Sequence, residues 1–348
     1  MSDSRTIFLM GNAHLDPAWL WRWQEGYKEV KATFRSALDR LAEFEDFVFT
    51  CSSARYYKWL EEDDPEMFAE IARYVEEGRW VIVGGWWVEP DCNMPAGESF
   101  ARQGLYSQRY FLSRFGRMAV TGYNVDSFGH NANLPQILAK SGMRNYVFGR
   151  PGSHEKDLEK CLFQWEGIDG TRVLTFRLPT GYGAGNLGAV EEGLARVREL
   201  GRTEGTDMLF GYGVGNHGGG PTVEMLEYLS EKTDRESDHL VFGGPDAFFD
   251  SVLASEANPP VLRDELQHHA SGCYSAHSGM KRANRRAENE LLSAEKYACL
   301  AAVETDAKYP SEALKGAWEN VLFNQFHDIL CGCSIPSVHE DAEHFYGE

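Results

Sequence analysis

Basic residues are scarce in this chain. Its 34 Lys and Arg stand against 53 Asp and Glu, a formal net charge of −19. Such a charge repels phosphate backbones and anionic lipid, so neither nucleic acid nor membrane is an expected partner. A neutral polar substrate fits better. Long apolar runs are missing too: no stretch of about 18 apolar residues exists to cross a bilayer. No basic segment followed by an apolar one marks an N-terminal signal peptide. Cysteine is sparse and unpatterned, seven residues without a repeating framework. Cys331-Gly332-Cys333 is spaced more tightly than the usual Cys-x-x-Cys zinc pair. Reduced thiols in a cytoplasmic protein are the simplest expectation. There is no internal repeat and no low-complexity segment.

What is present is a recurrence of short apolar runs. They fall at residues 6–10, 47–50, 80–83, 118–122, 145–148, 172–176 and 208–212. Segments 31–44, 65–77 and 99–114 carry apolar residues three and four apart, the helical period. Strands alternating with helices predict an α/β fold with a parallel sheet, and seven such units predict a barrel-like or strongly twisted one. The pattern changes near residue 255, at Ala257-Asn258-Pro259-Pro260. Helices are predicted over 278–303 and 311–326, with a third starting after Pro336. They read as a separate helical bundle. The chain stops at Glu348, shortly into that third helix, as a part of a longer protein would.

Candidate chemistry gathers at the ends of the apolar runs. His14 and Asp16 follow the first, and residues two apart in an extended chain project to the same side. They can share one cation, or form a buried structural pair. Trp19, Trp21 and Trp23 follow, either as a wall for a sugar face or as core. Asp126 ends the fourth run as a ligand, a nucleophile or a helix cap. His327 lies at the end of a predicted helix, as a ligand or a dipole partner, with Asp328 bordering the same cleft. Two His and two Asp would satisfy a tetrahedral or five-coordinate Zn²⁺. The Gly-rich stretch 211–221 lacks the lysine of a phosphate loop and an acidic ribose partner. It can present Asn216 or His217 to a ligand, or simply be a tight turn.

Several of these segments together resemble glycoside hydrolase family 38, the zinc-dependent α-mannosidases. They are residues 11–19 (GNAHLDPAW), 83–89 (VGGWWVE), 126–130 (DSFGH) and 327–328 (HD), supported by 136–142 (QILAKSG) and 165–170 (WEGIDG). The resemblance runs from residue 6 to about 335 in the family's order. It implies a seven-stranded parallel β/α barrel over 1–265, followed by an incomplete three-helix bundle over 270–348 that contributes one metal ligand. It implies Zn²⁺ held by His14, Asp16, Asp126 and His327, with Asp126 also the nucleophile. Arg150 would pair with Asp126, Trp19 and Phe128 would pack on mannose, Asp328 would bind its hydroxyls, and Tyr182 would contribute. Many members carry an aspartate acid/base at or near His217. A histidine can donate a proton near neutral pH, and Asp246 and Glu89 are the alternatives.

The implied reaction is retaining hydrolysis of terminal α-linked mannose through a covalent glycosyl-enzyme. Its partner is a mannose-containing glycan or glycoside, and a homo-oligomer is left open. Family members usually continue into large β-rich domains, which residues 1–348 do not include. Two other classes compete: a metal-dependent carbohydrate deacetylase, and a non-catalytic sugar-binding fragment.

Overall fold

A computed structural model describes residues 5–235, 239–255 and 257–347. Among the described residues ten strands are formed: β1 Ile7–Asn12, β2 Phe49–Cys51, β3 Trp80–Ile82, β4 Thr121–Asn124, β5 Asn145–Phe148, β6 Leu162–Glu166, β7 Arg172–Arg177, β8 Met208–Tyr212, β9 Leu240–Phe242 and β10 Val261–Leu262. They pair as two five-stranded sheets. The first has the order β3-β2-β1-β8, with β9 also on β1, and is parallel throughout. The second has the order β10-β6-β7-β5-β4 and is parallel except for β6 against β7. Main-chain bonds also link the sheets: Gly84 N–H donates to Thr121 C=O (2.9 Å) and Ala184 N–H to Gly213 C=O (3.0 Å).

The architecture is thus mixed α/β, but the strand pairing differs from a single seven-stranded parallel barrel. The seven apolar runs correspond to β1–β5, β7 and β8, while β6, β9 and β10 are additional. The β6–β7 hairpin arises from local turn chemistry. Gly170 sits at φ +84, Asp169 accepts from the Thr171 N–H (3.0 Å), and Gly167 N–H bonds Thr171 C=O (2.8 Å). Such a turn reverses the chain where a crossover helix would have kept it parallel. β4 starts three residues later than its apolar run, because Met118 is 42% exposed and lies outside the sheet.

Helices cover the sheets by the usual amphipathic rule. In Trp23–Glu43 the buried residues Val30, Phe34, Ala37, Leu38 and Leu41 form one stripe. Phe34 meets Trp80 of β3 edge-on, with ring centroids 5.0 Å apart. Among the described residues no helix is long and apolar enough to cross a membrane.

The C-terminal part consists of helices Ser278–Glu304, Ser311–Asn324 and Pro336–Gly347, which pack on one another, and a short helix His327–Leu330. The second helix ends at Asn324, so His327 opens a helix rather than closing one. Its end is fixed by the neighbouring part of the chain. Gln325 C=O accepts from Asp91 N–H (2.9 Å), and Phe326 bridges to Pro90, which requires an extended backbone there. A buried carboxylate anchors the docking. Glu288 Oε1 accepts from Ala96 N–H (2.8 Å), Ser99 Oγ (2.6 Å) and Gln325 Nε2 (3.1 Å). Its Oε2 accepts from Arg285 (2.6 Å). Removing this acceptor orphans several buried donors at once. Glu288→Ala should therefore lower the unfolding free energy by about 3 kcal/mol, read as a lower urea midpoint at unchanged slope. A loss within about 0.5 kcal/mol would show that the helices dock without it.

Candidate metal centre and active site

The four predicted ligands come from three strand or helix ends. His14 and Asp16 lie just past β1, in a loop held by a parallel bridge from Leu15 to Asn216. There Asn216 N–H donates to His14 C=O (2.7 Å) and Asp16 N–H to Asn216 C=O (2.9 Å). Asp126 stands two residues past β4, where it caps no helix; the next one, Leu134–Lys140, has Asn133 at its N-cap. His327 opens the short helix. All four are buried. His14 Nε2 is 2.8 Å from Asp16 Oδ1 and 3.8 Å from Asp126 Oδ2. His327 Nε2 is 3.3 Å from Asp126 Oδ2 and 3.8 Å from Asp16 Oδ1. One donor atom from each lies within 4.8 Å of all the others. Donors on a tetrahedral zinc are about 3.3–3.6 Å apart, so two imidazoles and two carboxylates at these spacings fit such an ion.

Glu89 orients this set. Its Oε1 accepts from Asp126 N–H (2.7 Å), and its Oε2 is 3.1 Å from His14 Nδ1. Its main-chain oxygen accepts from His327 Nδ1 (2.9 Å). Both imidazoles thereby turn Nε2 inward, the pattern of a metal-ligating histidine whose other nitrogen is tied. Three buried carboxylates, Asp16, Glu89 and Asp126, demand positive charge. In the metal-free chain the imidazoles supply it. Burial alone would lower His14 and His327, but Glu89 and Asp16 raise the first, and the Asp126 and Asp328 carboxylates push the second up to about 9. Burial alone would raise Asp126; His327, His14 and Arg150 hold it well below the usual carboxylate range. A divalent cation would satisfy the same demand. His327 Nε2 is buried and lacks an aligned hydrogen-bond partner, as expected of a ligand atom.

Other predicted residues border the group. Arg150 Nη2 is 2.7 Å from Asp126 Oδ1. Its carbonyl is held by His130 Nε2 (2.7 Å), whose Nδ1 takes the Tyr146 hydroxyl (2.8 Å). Phe128 packs edge-on to His327 (5.5 Å) and under the Arg150 guanidinium (5.7 Å). The Tyr182 ring is 4.9 Å from His14, and its hydroxyl donates to Asn216 Oδ1 (3.2 Å). Burial, then the Asp126 charge, raise that phenol, so it stays protonated. Asp328 is buried beside His327. Trp19, half-buried, meets Trp21 edge-on at 5.9 Å.

Three candidates for the acid lie elsewhere. His217 is on the rim, with Nε2 2.9 Å from Glu25 and Nδ1 3.8 Å from Glu29. Asp246 bonds Thr121 Oγ1 (2.6 Å) at the start of β4, the opposite end from Asp126. Glu89 is sealed behind the ligands it orients. His269 was not singled out in the sequence. It bonds Arg150 Nη1 through Nε2 (3.0 Å) and Glu155 through Nδ1 (2.5 Å). It follows a strand of two residues, too short to mark a strand end.

The chain is similar to known proteins along its length. Residues 4–271 match the N-terminal domain of glycosyl hydrolases family 38, and residues 268–348 match the alpha mannosidase middle domain. The chain is 35% identical to mouse (Mus musculus) alpha-mannosidase 2C1, over 99% of this chain and 34% of that protein. It is 31% identical to the alpha-mannosidase of Saccharomyces cerevisiae, over 96% of this chain and 32% of that one. It thus spans about a third of the curated relatives it matches. The crystal structure of an alpha-mannosidase from Enterococcus faecalis V583 superposes with a TM-score of 0.84 at 19% identity, over 99% of this chain and 41% of that one, and shares its fold. By the match of both domain models along its length, this chain belongs to glycosyl hydrolase family 38.

Proposed function

We propose that residues 1–348 form the catalytic part of a zinc-dependent retaining α-mannosidase. The observation that carries this is the meeting of His14, Asp16, Asp126 and His327 at one point, with Arg150 on the Asp126 oxygen turned away from the imidazoles. We take 1–265 as one domain, a seven-stranded barrel interrupted by the β6–β7 hairpin, and 270–348 as the helical bundle that delivers His327. A mannose-containing glycan or glycoside is the substrate, and the cytoplasm is the compartment in keeping with seven unpaired thiols.

Zinc bound to the four ligands would supply a Lewis acid and a template for vicinal sugar hydroxyls. The chain's own residues do the rest. Asp126 attacks the anomeric carbon to give the covalent glycosyl-enzyme of a retaining reaction. Arg150 keeps that carboxylate anionic and fixes its plane. Phe128 and Trp19 pack on the ring, and Asp328 accepts from its hydroxyls. Tyr182 donates near Asp126. His217 is the proposed proton donor to the departing oxygen, from the rim.

Hydrolysis of an aryl α-mannoside should disappear with chelator and return with zinc. Metal-loaded chain that leaves such glycosides intact would remove the proposal. Asp126→Asn should lower turnover by several orders of magnitude, since charge and nucleophile are lost together; near-normal steady-state rates would exclude Asp126 as nucleophile. Glu89→Gln, which loosens His14 without touching a ligand atom, should weaken zinc affinity by about 10–100-fold, measured by competition with a chromogenic chelator. Unchanged affinity would leave Glu89 a structural role only.

A further inference from the structure

Beyond His327 the chain carries a second set of ligating side chains, of which the proposed hydrolase chemistry uses only Asp328, on the sugar hydroxyls. Asp328, Cys331 and Cys333 place a carboxylate oxygen and two sulfurs within 4.8 Å of one another. Cys333 Sγ is 2.9 Å from Asp328 Oδ1. The tight Cys-x-Cys spacing converges because Gly332 turns the chain at φ +80, where a Cβ would lie 2.5 Å from His277 Cβ. Only glycine lets both thiols face Asp328 from one turn. The thiol of Cys273, on the 3₁₀ turn Ser271–Tyr274, lies outside this group. Tyr274 pins that turn, its hydroxyl donating to the Phe128 carbonyl (3.0 Å). Lys281 stands alongside, its Nζ bonding Cys331 C=O (2.7 Å).

We propose that Asp328, Cys331 and Cys333 form a second metal site, for a thiophilic divalent cation such as zinc. Two sulfurs and one carboxylate oxygen are zinc donors that leave one tetrahedral position for a further ligand. Sulfurs on a common zinc lie about 3.8 Å apart, which the observed clustering accommodates. Binding releases the thiol protons. Two thiolates and one carboxylate around a divalent ion leave excess negative charge, and the Lys281 ammonium partly offsets it. The site would clamp the turn that follows His327 and hold Asp328 in one orientation, whatever reaction the first site performs.

The test uses cobalt(II) alone as probe, on the metal-stripped chain. Two equivalents should bind, one of them giving the intense near-ultraviolet thiolate-to-cobalt charge-transfer band. The double variant Cys331→Ser/Cys333→Ser should bind one equivalent and lose that band. His14→Ala should weaken the other equivalent and keep the band. If the double variant does not fold, Cys333→Ser alone should shift and weaken the band. A single equivalent without thiolate charge transfer in the unaltered chain would overturn the proposal, leaving Cys333 as a hydrogen-bond donor to Asp328. The readout is independent of mannoside hydrolysis, so this site and the proposed activity fail separately.

Discussion

Everything at the centre of this molecule depends on residue 89. One buried glutamate forms an ion pair with the His14 ring through one carboxylate oxygen and accepts the Asp126 main-chain N–H on the other, while its carbonyl accepts from the His327 ring. Three segments far apart in sequence are therefore set at a common angle by a single residue. A buried carboxylate is tolerated only where opposite charge and hydrogen bonds surround it, and Glu89 has both. The residue nearest the centre, one shell behind the ligands, thus fixes the directions in which the ligands point.

The second constraint is how His327 reaches that centre. It is carried in by the helical part of the chain, which docks through Glu288 and through Gln103 Nε2 on Leu322 C=O (2.9 Å). Arg102 pairs with Glu295 at 2.6 Å across the same junction. These polar contacts flank an apolar one, Trp59 edge-on to Phe323 with ring centroids 5.7 Å apart. They set the register of the two parts, so that the helix ending at Asn324 delivers an imidazole to the loops beyond β1 and β4.

Much of this was legible in the sequence, and the limits have physical causes. His14, Asp16 and Asp126 sit after apolar runs, and strand ends are where α/β folds gather chemistry. Their types and positions could be read without coordinates. Glu89 was seen only as a possible acid, because its role lies in partners 75 and 238 positions away in the chain. The antiparallel pairing of β6 and β7 is set by the five-residue turn between them, and the alternation of strands with helices, which implies parallel crossovers, does not contain it. The helix expected to run to residue 326 stops at Asn324 because Phe326 is drawn into a bridge with Pro90, a tertiary demand that local periodicity does not contain. Cys331 and Cys333 are spaced more tightly than the usual zinc pair, and the left-handed backbone at Gly332 that brings both sulfurs to Asp328 is a conformation that spacing does not contain.

That the fourth ligand arrives on a docked helix has a thermodynamic consequence. The four side chains form one binding set only in molecules whose helical part is seated. Any cation they hold closes a loop of some three hundred residues, at an entropic cost that grows only logarithmically with length. Its apparent affinity is the intrinsic one scaled by the seated fraction. Cation binding and helix seating are therefore linked functions, and Glu288, which contacts none of the four ligands, is in effect a remote determinant of how tightly the centre holds its ion.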